Sequence, residues 1–168
     1  RSIEVGGMIE VPAAALAPLA SGDEELAGWW RAYLDSPYAA LATPVRRAEV
    51  VLSVPWAGYR LEAQYDLVAG EPGGDWLIVD WKAEHHRPER SRLAGRLQTI
   101  VYRLVLALAG ACLNGGQEIA PERITMVYWF AAFPLQPELL PYDSSQLEYD
   151  RQILARLQHP GIARLLDG

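Results

Sequence analysis

The chain has 168 residues, 51% of them apolar and 21% charged, with a net charge of −6; that suits one globular domain with a real core and is short for two. No apolar run nears the roughly 18 to 20 residues that span a bilayer, and an acidic chain does not coat nucleic acid nonspecifically, because phosphate neutralisation needs basic surface. Cys112 is the single cysteine, so no disulfide or thiolate cluster forms within the chain.

The sequence opens on Arg1 and lacks the charged-then-apolar layout of a signal peptide. It reads as an interior piece of a longer natural protein, expected in the cytoplasm and away from membranes. Residues 1–20 mix Gly, Pro and Ala and are expected to form a loosely ordered lead-in to a single domain over 21–168. Ser21-Gly22-Asp23-Glu24 is a capping-box pattern, opening a helix to about Leu34 with Leu26, Trp29, Trp30 and Tyr33 at helical spacing. Residues 47–54 and 59–68 read as strands, joined at Pro55-Trp56-Ala57-Gly58 into a hairpin. In the second run Leu61, Ala63, Tyr65 and Leu67 share one parity, and Glu62, Gln64 and Asp66 share the other.

A Gly/Pro-rich turn at 70–74 leads to a third strand over 76–83. Pro88 introduces a helix to about Ala111, which Asn114-Gly115-Gly116 stops. Residues 123–132 read as a buried strand. Pro134, Pro137 and Pro141 form a stiff connector to a last helix over 144–157. The order helix, three strands, helix, strand, helix implies an α/β fold, a hairpin-plus-crossover sheet flanked by helices.

In Leu77-Ile78-Val79-Asp80-Trp81-Lys82 an acid and a base interrupt a strand whose other residues favour a dry interior. Asp80 and Lys82 are two apart and so project from one face. Removing the partner of a buried charge costs about 3 to 5 kcal/mol, so charges at such positions imply partners or a ligand. Asp66 supplies a second carboxylate from the adjacent strand. Two carboxylates beside a lysine suit metal-assisted phosphodiester hydrolysis with Mg²⁺ or Mn²⁺, which take oxygen ligands and keep several waters. The lysine has three open roles: orienting the water, accepting its proton, or stabilising charge on the phosphorane.

Gln64-Tyr65-Asp66, a Gly-rich turn and Ile78-Val79-Asp80-Trp81-Lys82 resemble the signature of the PD-(D/E)XK nuclease superfamily, and within it the RecB-like nucleases. Gln98-Thr99-Ile100-Val101-Tyr102 is similar to that branch's Q-x-x-x-Y element. The resemblance covers about residues 45–130. It implies a restriction-endonuclease-like αβββαβ core with a mixed central sheet. It also implies a DNA nuclease of repair, recombination or defence, with a helicase or other repair protein as a possible partner. Asp66, Asp80 and Lys82 would be catalytic. Asp66, Asp80 and the main-chain carbonyl of Trp81 would hold the cation, with Glu49 as a further acidic candidate. Gln98 and Tyr102, four apart on one helical face, would line the site or contact DNA. Apart from the resemblance, Arg92, Arg96 and Arg103 fall near one helix face, with Arg87 and Arg90 just before, and would give a backbone track; His85 and His86, at a strand exit, read as loop residues or phosphate contacts.

The chain departs from the family pattern at Ala83-Glu84, where Thr-Gly is usual, at Ala63, where Gly is common, and in having no histidine before His85. A nuclease fold without activity, serving as a DNA-binding or scaffolding module, therefore stands as the alternative. An ordinary ion pair at Asp80 and Lys82, and a merely solvated arginine face, are the plainer readings of the same residues.

Overall fold

A computed structural model describes residues 24–157, together with the backbone of residues 2–6. The described elements are β1 (Ser2–Gly6), α1 (Glu24–Leu34), β2 (Val45–Trp56), β3 (Tyr59–Gly70), β4 (Trp76–Lys82), α2 (Arg90–Ala94), α3 (Leu97–Ala109), β5 (Ile124–Phe130), β6 (Glu138–Pro141) and α4 (Ser144–Leu157). Short 3₁₀ turns occupy Gly110–Cys112 and Pro121–Arg123. Among the described residues no helix is long and apolar enough to cross a membrane.

The expected hairpin forms, tighter than its turn residues suggested. Pro55 and Trp56 belong to β2 and only Ala57 and Gly58 turn, with φ of 45° and 85°. Two successive positive φ values match the twist of the strands they join, as in a type I′ hairpin. Ser21, read as the cap of the first helix, lies outside the described residues. Residues Ser2–Gly6, within the stretch read as a lead-in, lie parallel to β3 along Arg60–Gln64.

The mixed sheet of the described residues runs β1-β3-β4-β5-β6, with β2 on the other edge of β3. Along the edge facing away from β2, β3 pairs first with β1, over 60–64, and then with β4, over 67–70. Tyr65 and Asp66 sit at the fork between the two. β4 and β5 run parallel, linked by the helical crossover, and β6 closes the sheet antiparallel to β5. That last strand falls inside the segment read only as a stiff connector; Pro141 is tolerated because it ends an edge strand, where a missing N–H breaks no central ladder.

Two apolar clusters cover the two faces. The larger joins Trp76 and Ile78 of β4 and Met126, Tyr128 and Phe130 of β5 to α3 and Leu154 of α4. The smaller joins Val79, Trp81, Val127 and Trp129 to Tyr33 of α1. Tyr33 meets Trp81 edge-on, with ring centroids 4.9 Å apart.

The single helix expected from Pro88 to about Ala111 is interrupted. Gly95 caps α2 and Arg96 is extended before α3 begins. Thr99 Oγ1 donates to the carbonyl of Leu93 across the break, at 2.6 Å. From Thr99 to Ala107, α3 is buried on all sides, which is why its sequence is apolar nearly all round.

Candidate active site

The strict alternation expected along β3 fails at one point, and that point makes the site. Leu61, Ala63 and Tyr65 face the large cluster, Leu67 faces the small one, and Val68 faces the large one again. The order of sides therefore slips by one between Tyr65 and Leu67, so Leu67 does not share the face of Tyr65. On the partner strand Glu49 stands opposite, between the pairs Ala48–Leu67 and Val50–Tyr65, with a φ of 52°. Positive φ in a residue with a Cβ is a strained conformation of the kind that gathers at functional sites.

Asp66, at the slip, accepts a hydrogen bond at Oδ2 from the backbone N–H of Trp81, 2.9 Å away. Where β3 and β4 separate, the carboxylate thus takes up a ladder N–H. Asp80 is 1% exposed. Its Oδ1 accepts from Gln98 Nε2 at 2.7 Å, and Lys82 Nζ lies 2.7 Å from its Oδ2. Lys82 Nζ also donates to Gln98 Oε1 at 3.2 Å. Asp80, Lys82 and Gln98 therefore form a closed triangle, with both ends of one amide committed. The break at Gly95–Arg96 puts Gln98 in the first turn of α3, beside the end of β4.

The ion pair does not aim a hydrogen bond at Asp80 Oδ2, which is buried without a directed donor. That carboxylate oxygen, met by the charge of Lys82 but by no aimed donor, fits, with Asp66 beside it, a hard cation bound through oxygen. Among the described residues no three His, Cys, Asp or Glu side chains come together as a metal cluster, and those residues offer two carboxylates here. Mg²⁺ is commonly held by one or two, with waters and substrate phosphate completing its shell.

Burial, then the charge of Asp80, raises the Asp66 pKa to about 7; the Trp81 N–H and Lys82 pull it down, and Glu49 pushes it further up. Burial also raises that of Asp80, against Lys82, Arg96 and Gln98, which lower it. For both carboxylates burial outweighs the nearby positive charge of Lys82, so each resists ionising more than an exposed aspartate does.

The other residues singled out from sequence divide. Glu49 is exposed and reaches Asp66 through its charge. The Trp81 indole is buried on the far face against Tyr33, so only its backbone borders the site. Tyr102 does not offer a surface to DNA: it is wholly buried, its ring 4.9 Å from that of Tyr65. Its hydroxyl donates to the Gln64 carbonyl, while Tyr65 donates to the carbonyl of Tyr102 at 2.9 Å. The pair braces the fork of β3 against α3. Arg103 also leaves the expected basic track, being buried against Asp150, with Nη2 to Oδ2 at 3.2 Å. Arg87 and Arg90 pair with Glu138. Arg92 is exposed and Arg96 half-buried, the latter 3.7 Å from Glu84. His85 and His86 are exposed loop residues with weak contacts to Glu25 and Glu84.

One residue at the site escaped the sequence reading. Tyr128 of β5, in register with Asp80, lies beneath Lys82; only the pairing of two distant strands brings them together, so no local spacing could reveal it.

No curated protein matches the chain. A solved structure titled "Crystal structure of SSO0001" resembles it at 16% identity and a TM-score of 0.39, over 86% of this chain. The chain spans 64% of the length of that protein. A family model described as the PD-(D/E)XK nuclease superfamily matches residues 10–168. With that match over nearly its whole length, and the mixed sheet flanked by helices already described, the chain belongs to the PD-(D/E)XK nuclease superfamily.

Proposed function

We propose that the protein is a Mg²⁺- or Mn²⁺-dependent DNA nuclease of the RecB-like branch, acting in cytoplasmic DNA repair, recombination or defence on substrate delivered by a helicase or other partner. The observation that carries this reading is the group of Asp66, Asp80, Lys82 and Gln98 gathered where β3 and β4 part.

Asp66 and Asp80 would hold the cation, with the Trp81 carbonyl as a further ligand and Glu49 adding negative charge from β2. When bound, the cation supplies positive charge that polarises the phosphate and offsets charge on the leaving oxygen. Lys82, held by Asp80 and Gln98, presents its ammonium to the attacking water or to a phosphate oxygen. The water oxygen bonds to phosphorus as one of its protons passes to solvent, the bond to the leaving oxygen breaks, and that oxygen takes up a proton from solvent in return. No protein nucleophile is needed. Arg92 and Arg96 lie close in sequence to Gln98 and would meet the DNA backbone by charge, which fixes position and carries no base information.

A second reading, a nuclease fold that binds DNA without cutting it, is favoured by the near-complete burial of Asp80 under Lys82 and Gln98. The test sets the protein against single- and double-stranded DNA, with Mg²⁺ or Mn²⁺ against EDTA, beside Lys82→Ala. Metal-dependent loss of DNA that vanishes in the variant is expected. Binding with no cleavage under any of these conditions would favour the second reading.

A further inference from the structure

Tyr128 is wholly buried on β5 and faces the large cluster. Its hydroxyl is 2.7 Å from Thr99 Oγ1, and Thr99 spends its one hydroxyl hydrogen on the carbonyl of Leu93. The Tyr128 hydroxyl must therefore be the donor in their shared bond. That chain of two bonds anchors the hydroxyl end of the ring, and close packing in the large cluster holds its faces. Lys82 Nζ stands 5.6 Å from the ring centroid, and the Arg96 guanidinium carbon stands 5.8 Å from it. Both cations fall within the range at which an aromatic face attracts a positive charge, an attraction that grows where water is excluded.

We propose that Tyr128 is a positioning residue for Lys82, its ring forming the floor on which the ammonium is held beside Asp80. The inference rests on the reading of Lys82 as an active group, and names what keeps it aimed. A lysine head rides on a flexible four-carbon stem, and its two partners, the Asp80 carboxylate by charge and the Gln98 amide oxygen by hydrogen bond, leave it free to tilt about the line between them. The aromatic face restricts that tilt. An aliphatic side chain of similar bulk would fill the space without drawing the cation.

Lys82 is the sole lysine among the 168 residues, so protein grown on lysine labelled with ¹³C at Cε gives one side-chain signal. In the wild type the ε-methylene protons should lie upfield of free lysine, displaced by the ring current. Tyr128→Phe should keep that displacement and the rate of DNA cleavage, because the ring remains. Tyr128→Leu should return the signal towards the free-lysine position and lower kcat about tenfold with KM little changed. Met126→Ala, a cavity on the same face of β5, should cost stability without moving the Lys82 signal.

A wild-type signal at the free-lysine position overturns the proposal, as does one that stays displaced in Tyr128→Leu. The wild-type and Tyr128→Phe signals decide the matter even where Tyr128→Leu does not fold. A displaced signal that responds to these variants in a protein that cuts no DNA supports the ring's hold on Lys82 and counts against the nuclease reading alone.

Discussion

Asp66 and Asp80 share a small volume with one ammonium, and burial makes each reluctant to carry its charge. The sign of the consequence for stability follows from linkage. The folded-state pKa of Asp66, about 7, lies above the ordinary aspartate value of about 3.9, so the folded protein keeps a proton that the unfolded chain has lost. The contribution of this group is most favourable below the ordinary value and is lost as pH rises through about 7. Metal-free protein is therefore expected to lose stability across that window, and Asp66→Asn to remove this part of the slope; urea midpoints measured across it test both. At this scale Asp66, Asp80 and Lys82 were legible because charged groups are conspicuous in apolar strands, and Gln98 because residues 98–102 resemble the Q-x-x-x-Y element. The slip at Tyr65–Leu67 was not, because a parity rule read from Leu61, Ala63, Tyr65 and Leu67 has no means of noticing that Leu67 crosses the sheet. Nor was the burial of Tyr102, whose partner lies on another element.

At the level of elements, α3 is the part that connects scaffold to chemistry. Its first turn carries Gln98 to Asp80, its middle carries Tyr102 against β3, and Arg103 joins it to α4. The Arg103–Asp150 pair is almost fully buried, with the guanidinium 4.6 Å from the Tyr142 ring centroid. Removing one member of such a pair leaves an unpaired charge inside the protein. Asp150→Ala is expected to lower stability by about 3 to 5 kcal/mol in denaturant unfolding, with the Asp80–Lys82–Gln98 triangle left in place. Arg103 looked like surface because a charge run on a helix is usually a solvated face; here α3 is buried on every side from Thr99 to Ala107, and Asp150 of α4 supplies the partner that makes a buried guanidinium tolerable. β6 went unseen for a related reason: three prolines dominate its neighbourhood, and only an edge position makes a strand there compatible with Pro141.

Across the whole molecule, positive charge is scarce and much of it is spent on the protein itself. Arg46 donates to the Tyr33 hydroxyl and the Ala39 carbonyl, Arg87 and Arg90 pair with Glu138, Arg103 is buried with Asp150, and Arg123 pairs with Asp75. With a net charge of −6, DNA binding should depend on few phosphate contacts and therefore on salt only moderately. The double variant Arg92→Ala/Arg96→Ala is expected to reduce the slope of log K against log salt by about 2, roughly one for each lost contact. Fluorescence anisotropy in EDTA, where no cleavage intervenes, measures that slope. The α/β class and the hairpin-plus-crossover order were legible at this scale from periodicity and turn residues. The pairing of β1 and β4 along one edge of β3 was not, since it joins segments some sixty and ten residues from their partner and no local pattern encodes the fork.

The most direct measurement of the central claim is a calorimetric titration of Mn²⁺ into the metal-free protein near neutral pH, repeated in buffers of different ionisation enthalpy. Saturable binding is expected, with release of protons as Asp66 gives up the one it holds, and both Asp66→Asn and Asp80→Asn should weaken it severely. Absence of saturable uptake by the wild type, or uptake that both substitutions leave unchanged, would contradict a cation site at the fork of β3 and β4.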